Sequence, residues 1–186
     1  MTETAAAARP RIAGLADIEA LEAQAFESVY PPVSAYDLLR RSAERQGDRV
    51  ALAFQPVGDP DVPAQETGYA GLFGQVTQAA NLFRSLGVDR DSAVALLMPP
   101  VPDTHIALWG AETAGCACPI NFMLNADHIV ELLQAAQAKV LVAYGPDPAL
   151  PVWEKAQAVA ARLPGVTVLQ GGMGDGAGSL LAAIAG

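Results

Sequence analysis

Apolar and polar positions along the chain change period several times, and each change marks an element. From Tyr69 the period is helical: Leu72, Val76, Ala80, Phe83 and Leu86 fall on one face, and Gly87 supplies a stop. Ala93-Val-Ala-Leu-Leu97 is then apolar at every position, as a strand buried on both sides must be. The alternation repeats from there. A helix capped by Asp103 runs through Ala114, a strand covers Cys116–Ile120, and a helix capped by Asn125 carries Ile129, Leu132, Leu133 and Ala136 on one face. A strand at Val140–Ala143, a helix at Val152–Leu163 and a strand at Val166–Leu169 follow. Wholly apolar strands separated by helices of about ten residues or more are the pattern of βαβ units. The pattern predicts a doubly wound α/β domain with a mostly parallel sheet.

The elements before Tyr69 differ. Ser34 opens a helix to Gln46 that Gly47 ends; its Arg40, Arg41, Glu44 and Arg45 read as a solvated face with i, i+4 pairing. Arg49–Phe54 and Glu66–Gly68 form a hairpin across a polar, proline-bearing tip. Residues 1–33 combine a tail with an acidic amphipathic helix (Ile12, Leu15, Ile18, Leu21) that packs on something and breaks at Tyr30-Pro31-Pro32. The end, residues 171–186, is a Gly-rich loop and a short apolar helix with no closing strand, and reads as truncated. The resulting division is 1–33, 34–170 and 171–186.

Composition narrows the partners. Of 186 residues, 52% are hydrophobic and 17% charged, enough for a sizeable core. Lys and Arg number 11 against 20 Asp and Glu, a net charge of −9 that disfavours nucleic acid and anionic lipid. No stretch approaches the roughly 20 apolar residues of a membrane span, and no signal-peptide core follows the start, so a cytoplasmic protein is expected. Cys116 and Cys118 are too close for an unstrained disulfide and read as small buried hydrophobes.

Candidate chemistry is sparse. Gly171-Gly-Met-Gly-Asp-Gly176 follows a strand, yet from Gly172 the last position of a Gly-x-Gly-x-x-Gly fingerprint is Ala177, and no Walker-type lysine follows. A flexible loop is the better reading. His105, His128, Asp103 and Asp127 all fall in first helical turns, where capping and the helix dipole account for the acids. No catalytic residue and no metal ligand is assigned.

The order of short motifs carries more. Thr67-Gly-Tyr69-Ala-Gly-Leu72, Leu86-Gly87-Val88 and Ala93-Val-Ala-Leu-Leu-Met-Pro99 are followed by Pro102-Asp103-Thr-His-Ile-Ala-Leu-Trp109-Gly, Ala114-Gly115, Pro119-Ile-Asn121 and Ala138-Lys-Val-Leu-Val142. In that order, over residues 34–170, they resemble the N-terminal region of the AMP-forming acyl-CoA synthetases, members of the adenylate-forming enzymes. Leu108-Trp-Gly and Cys118-Pro-Ile-Asn are most similar to the fatty-acyl branch. Gly71, Asp91-Ser92 and Pro100 depart from the family pattern at turn and packing positions.

The resemblance implies ATP, Mg²⁺ and coenzyme A as cofactors of a full-length enzyme that makes a fatty acyl-adenylate and then acyl-CoA. The family's phosphate loop and catalytic lysine lie downstream of the matched region, so the chain alone is expected to be inactive and to bind none of these. Pro119 and Asn121, following a strand's C-terminal end, are the candidate contacts to the coenzyme A channel. The fatty acid would bind through the missing part, and the uncovered sheet would favour self-association. The alternative is a stand-alone interaction or regulatory domain derived from a ligase.

Overall fold

A computed structural model of the protein describes residues 12–29, 33–172 and 179–185. The chain divides into two units, residues 1–34 and 35–186. In the first, the single amphipathic helix of the sequence reading is two pieces, α1 (Leu15–Glu22) and α2 (Phe26–Val29), and α1 has no buried residue. Ile12, Leu15 and Phe26 are exposed. The expected break at Tyr30–Pro32 lies outside the described residues.

The second unit begins with α3 (Ala35–Gln46), where the predicted pairing holds: Asp37 meets both Arg40 and Arg41, and Arg40 also reaches Glu44. Gly47 ends the helix with φ +53°. β1 (Val50–Phe54) and β2 (Gln65–Gly68) pair antiparallel as a separate two-stranded sheet. The hairpin tip is pinned by Gln55, whose Nε2 donates to the carbonyls of Asp59 and Val62 at 2.9 and 2.8 Å.

α4 (Tyr69–Ser85) then leads into the parallel sheet through β3 (Ala93–Leu97), α5 (Pro102–Ala114), β4 (Cys116–Pro119) and α6 (Ala126–Ala135). β5 (Ala138–Tyr144), α7 (Val152–Ala160), β6 (Thr167–Gly171) and α8 (Leu180–Ala185) complete it. The strand order is β4-β3-β5-β6, parallel throughout. Every residue of β3 is buried. Its side chains alternate between two cores. Val94 and Leu96, with Val140, Val142 and Leu169, face Val76, Phe83, Ile106 and Leu180 of α4, α5 and α8. Ala95 and Leu97, with Leu141 and Ala143, face Ile129, Leu133, Val152 and Val159 of α6 and α7. Each fully buried Leu or Val of these faces contributes about 1.5–3 kcal/mol of apolar transfer. Helices therefore cover both faces, as the doubly wound reading expects.

The helices are seated closely. A Cβ on Gly110 of α5 would lie 2.7 Å from Cβ of Ala79 on α4, so the two axes approach as only a glycine allows. Gly115 is tighter still. A Cβ there would lie 2.2 Å from the Asp89 carbonyl oxygen and 2.7 Å from that of Ser92.

Some local readings are corrected. On α6 Leu132 is 42% exposed and Val130 is buried in its place, because the helix turns Ile129, Val130 and Leu133 inward. Cys116 is exposed and Cys118 half-buried, because β4 lies at the sheet edge. Among the described residues no helix is long and apolar enough to cross a membrane.

Candidate functional site

In an open parallel sheet the ligand side is the C-terminal end of the strands, at the point where the strand order reverses. Here β3 connects to β4 on one side and the chain then crosses to β5 on the other, so the reversal lies between β3 and β5.

The β3 end continues as Met98-Pro-Pro-Val101 into α5. Thr104 ties this turn down, its Oγ1 donating to the Pro99 carbonyl at 2.5 Å and its N–H to Val101 at 3.0 Å. Pro102 occupies the first helical turn and Val101 is the N-cap. Asp103 is therefore not the cap that its position in the sequence suggests. Its side chain, 4% exposed, turns to β6, where Oδ2 accepts the Gly172 N–H at 3.0 Å. Burial pushes the Asp103 carboxyl above the ordinary carboxylate range, against the opposing pull of the Gly172 N–H and its own backbone N–H. Met98 packs on the same strand end: a Cβ on Gly171 would lie 2.6 Å from its sulfur.

β5 ends at Tyr144-Gly-Pro-Asp147. Gly145 N–H continues the ladder to the Gly171 carbonyl at 3.0 Å, and Tyr144 Oη donates to Asp147 Oδ2 at 3.2 Å. Burial first, and then the Asp147 carboxylate, raise the Tyr144 hydroxyl above its ordinary value. Tyr144, Asp147, Gln170 and Gly171 contribute to a cleft of about 330 Å³.

Pro119 and Asn121 lie beside this region, at the end of edge strand β4. Ile120 N–H reaches the Leu96 carbonyl at 2.9 Å, which fixes the β4 end against β3. Pro119 and Asn121 are both exposed. Asn121 Oδ1 accepts the Met123 N–H at 2.9 Å, closing an Asx turn, and the Asn121 carbonyl accepts the Leu124 N–H at 3.1 Å. Asn125 caps α6 as predicted, accepting the His128 N–H at 2.9 Å. Lys155, from α7, donates from Nζ to the carbonyls of Phe122 and Leu124 at 2.6 and 2.9 Å. His105 and His128 are exposed on different helices and are not brought together.

Two of these residues escape sequence reasoning. Asp103 and Gly172 stand 69 positions apart, and an Asp in a first turn reads as a cap. Lys155 had one faint signal, a lone lysine beside the apolar stripe Val152, Ala156, Val159.

Among the described residues, the ionisable side chains brought in at the β5 and β6 ends are acids, Asp103 and Asp147. Lys139 sits near the opposite end of β5, and the Lys155 donors face two carbonyls. This set does not fit a triphosphate, which needs cationic or backbone N–H donors. Among the described residues no group of three or more His, Cys, Asp or Glu is placed to hold a metal ion. Of the Gly-rich stretch, Gly171 and Gly172 are described and residues 173–178 lie outside the described residues.

The fold and this strand-end geometry define the class, a doubly wound α/β module whose switch point lies between β3 and β5. The AMP-binding enzyme family matches over residues 39–177, and the chain belongs to that family. Marinolic acid–CoA ligase of Pseudoalteromonas sp. (strain SANK 73390) is 32% identical over 148 residues, covering 80% of this chain and 23% of that protein. The acetyl-coenzyme A synthetase of Streptomyces coelicolor is 34% identical over 111 residues, 58% of this chain and 16% of its own. Among solved structures, the anthranilate CoA ligase AuaEII in complex with anthranoyl-AMP superposes with a TM-score of 0.68 at 20% identity, covering 85% of this chain and 28% of that one. The chain thus spans less than a third of the length of these relatives, and it has the fold of the N-terminal part of an adenylate-forming enzyme.

Proposed function

We propose that the chain is the N-terminal scaffold of an ATP-dependent acyl-CoA ligase acting in the cytoplasm on a fatty acid. In that reaction the substrate carboxylate attacks the α-phosphorus of Mg²⁺-bound ATP and pyrophosphate leaves. The coenzyme A sulfur then attacks the acyl carbonyl, losing its proton, and AMP leaves. The observation that carries this reading is the match to a CoA ligase at 32% identity across 80% of the chain. The acyl group is less constrained, since the relatives are named for marinolic acid, acetyl and anthranilate. The fatty-acyl assignment rests on Leu108-Trp-Gly and Cys118-Pro-Ile-Asn.

Within this reading the chain supports the active site and performs neither step by itself. Its strand ends present buried or acidic groups, Asp103 and Asp147, where phosphoryl transfer depends on charge neutralisation. Pro119 and Asn121, exposed at the end of β4, line the passage for coenzyme A. β4 is an edge strand, and among the described residues β6 is bridged on its outer side at Gln170–Ser179 alone, so the chain alone self-associates at high concentration, which light scattering reads directly.

The test is acid-dependent ATP–pyrophosphate exchange with fatty acids of graded length. The full-length protein exchanges and residues 1–186 do not. Exchange by residues 1–186 alone would overturn the scaffold reading, and no exchange by the full-length protein with any acid would overturn the ligase reading.

A further inference from the structure

Lysine side chains ordinarily carry their ammonium out to water. Lys155 does not. It is half-buried on α7, and Nζ donates at 2.6 and 2.9 Å to the carbonyls of Phe122 and Leu124, on either side of exposed Met123. These carbonyls belong to the turn that Asn121 closes from the other side, through its Oδ1 to Met123 N–H and its carbonyl to Leu124 N–H. The six-residue connection Ile120–Asn125 is therefore held at both ends by backbone and cap bonds and in the middle by a single cation. Carbonyl oxygens orient an ammonium without neutralising it, so the positive charge persists under this turn. It is a cation beside strand ends whose other charged groups are acids.

We propose that Lys155 is a positioning residue for the thioester-forming step: it fixes the Asn121–Leu124 turn, and with it Pro119 and Asn121, in the conformation that receives the polyanionic coenzyme A. The proposal rests on the ligase reading above. Methionine at 155 keeps the stem and removes the donors, whereas arginine keeps the donors.

In residues 1–186, K155M should speed amide hydrogen exchange at Met123 and Leu124 by about tenfold, the loss of one or two charge-assisted bonds, with exchange in β5 unmoved. In the full-length enzyme K155M should raise KM for coenzyme A about tenfold with kcat within about twofold, and K155R should recover most of it. Met123 and Leu124 exchange that K155M leaves unchanged overturns the clamp. A loosened turn with an unaltered KM for coenzyme A, or a loss confined to kcat, overturns its role in thiol delivery. A wild-type enzyme without acid-dependent pyrophosphate exchange sinks the ligase reading, and the coenzyme A role with it, by a result separate from those two.

Discussion

Alanine at Gly115 sets a small conformational gain against a steric clash whose size the structure gives. Wherever the backbone permits it, Gly→Ala stabilises by about 0.4–1 kcal/mol through the unfolded chain. At Gly115 the new methyl carbon would sit 2.2 Å from the Asp89 carbonyl oxygen, 2.7 Å from that of Ser92 and 2.9 Å from Cγ1 of Val88. Two of these are backbone atoms already engaged: Asp89 O accepts from Ser92 N–H at 3.2 Å, and Ser92 O from Cys116 N–H at 3.1 Å. Neither can rotate away as a side chain would. Relief therefore requires moving the turn that starts β4, at an overpacking cost of about 1–3 kcal/mol plus about 1 kcal/mol for a lost ladder bond. The net expectation is a destabilisation of roughly 2–3 kcal/mol. Gly165 is the internal control, because nothing lies within 4 Å of its Cβ position and its φ is not positive. Urea unfolding followed by circular dichroism should show Gly115→Ala with a clearly lowered midpoint and Gly165→Ala at or slightly above wild type. Equal midpoints for the two variants would refute the steric account.

Other perturbations separate the remaining contributions. Phe83→Ala removes a fully buried ring from between α4 and the sheet and should cost about 3–5 kcal/mol in the same assay. The Asp103 carboxyl is raised in the folded protein, so the native state holds its proton more tightly than the unfolded chain. The stability this gives is complete below the unfolded carboxyl pKa of about 3.9 and is lost as pH climbs through the raised folded value. Asp103→Asn should therefore gain on wild type between about pH 3 and pH 7 in urea midpoints, and parallel profiles would count against it. Asp103→Leu leaves the buried Gly172 N–H without its acceptor and should cost about 1–3 kcal/mol at every pH. Asp37→Ala removes two part-exposed ion pairs of α3, whose arginines hold the Asp37 carboxyl below its ordinary value; a small loss that shrinks with added salt is expected in thermal melts.

What the sequence disclosed, and what it hid, divides by the range of the interaction. The helix and strand order from Ser34 to Leu169 was legible because it is written in local periods, and the Asn125 cap because a side chain meets a backbone N–H three residues on. The exposure of Cys116 and the inward turn of Val130 were not. Both depend on which strand ends at the sheet edge and how a helix is rotated on it, which are properties of the assembled layers. The family was legible for a different reason, the order of several loose motifs along the chain, and the match over residues 39–177 covers that stretch. At the candidate site, the exposed loop at Pro119–Asn121 was visible as a strand end. The Asp103–Gly172 and Lys155–Phe122 bonds, spanning 69 and 33 positions, were not.

Those two long-range bonds bear on how the strand ends are held. Strand ends of a parallel sheet are held in the ladder on one side only, and beyond them the backbone must find other partners or leave carbonyls and N–H groups exposed. Here each outer strand end is stitched by one ionisable side chain from a neighbouring layer. Asp103 of α5 takes the N–H just past β6, and Lys155 of α7 takes the carbonyls just past β4. The side-chain types suit the groups they hold, an acceptor for an N–H and a donor for carbonyls. Because the two stitches come from helices on opposite faces of the sheet, losing one should loosen its own loop and leave the other in place. Additive effects of Asp103→Leu and Lys155→Met on urea midpoints, within about 0.5 kcal/mol, would follow from that independence, and strong coupling would mean that the strand ends form one unit.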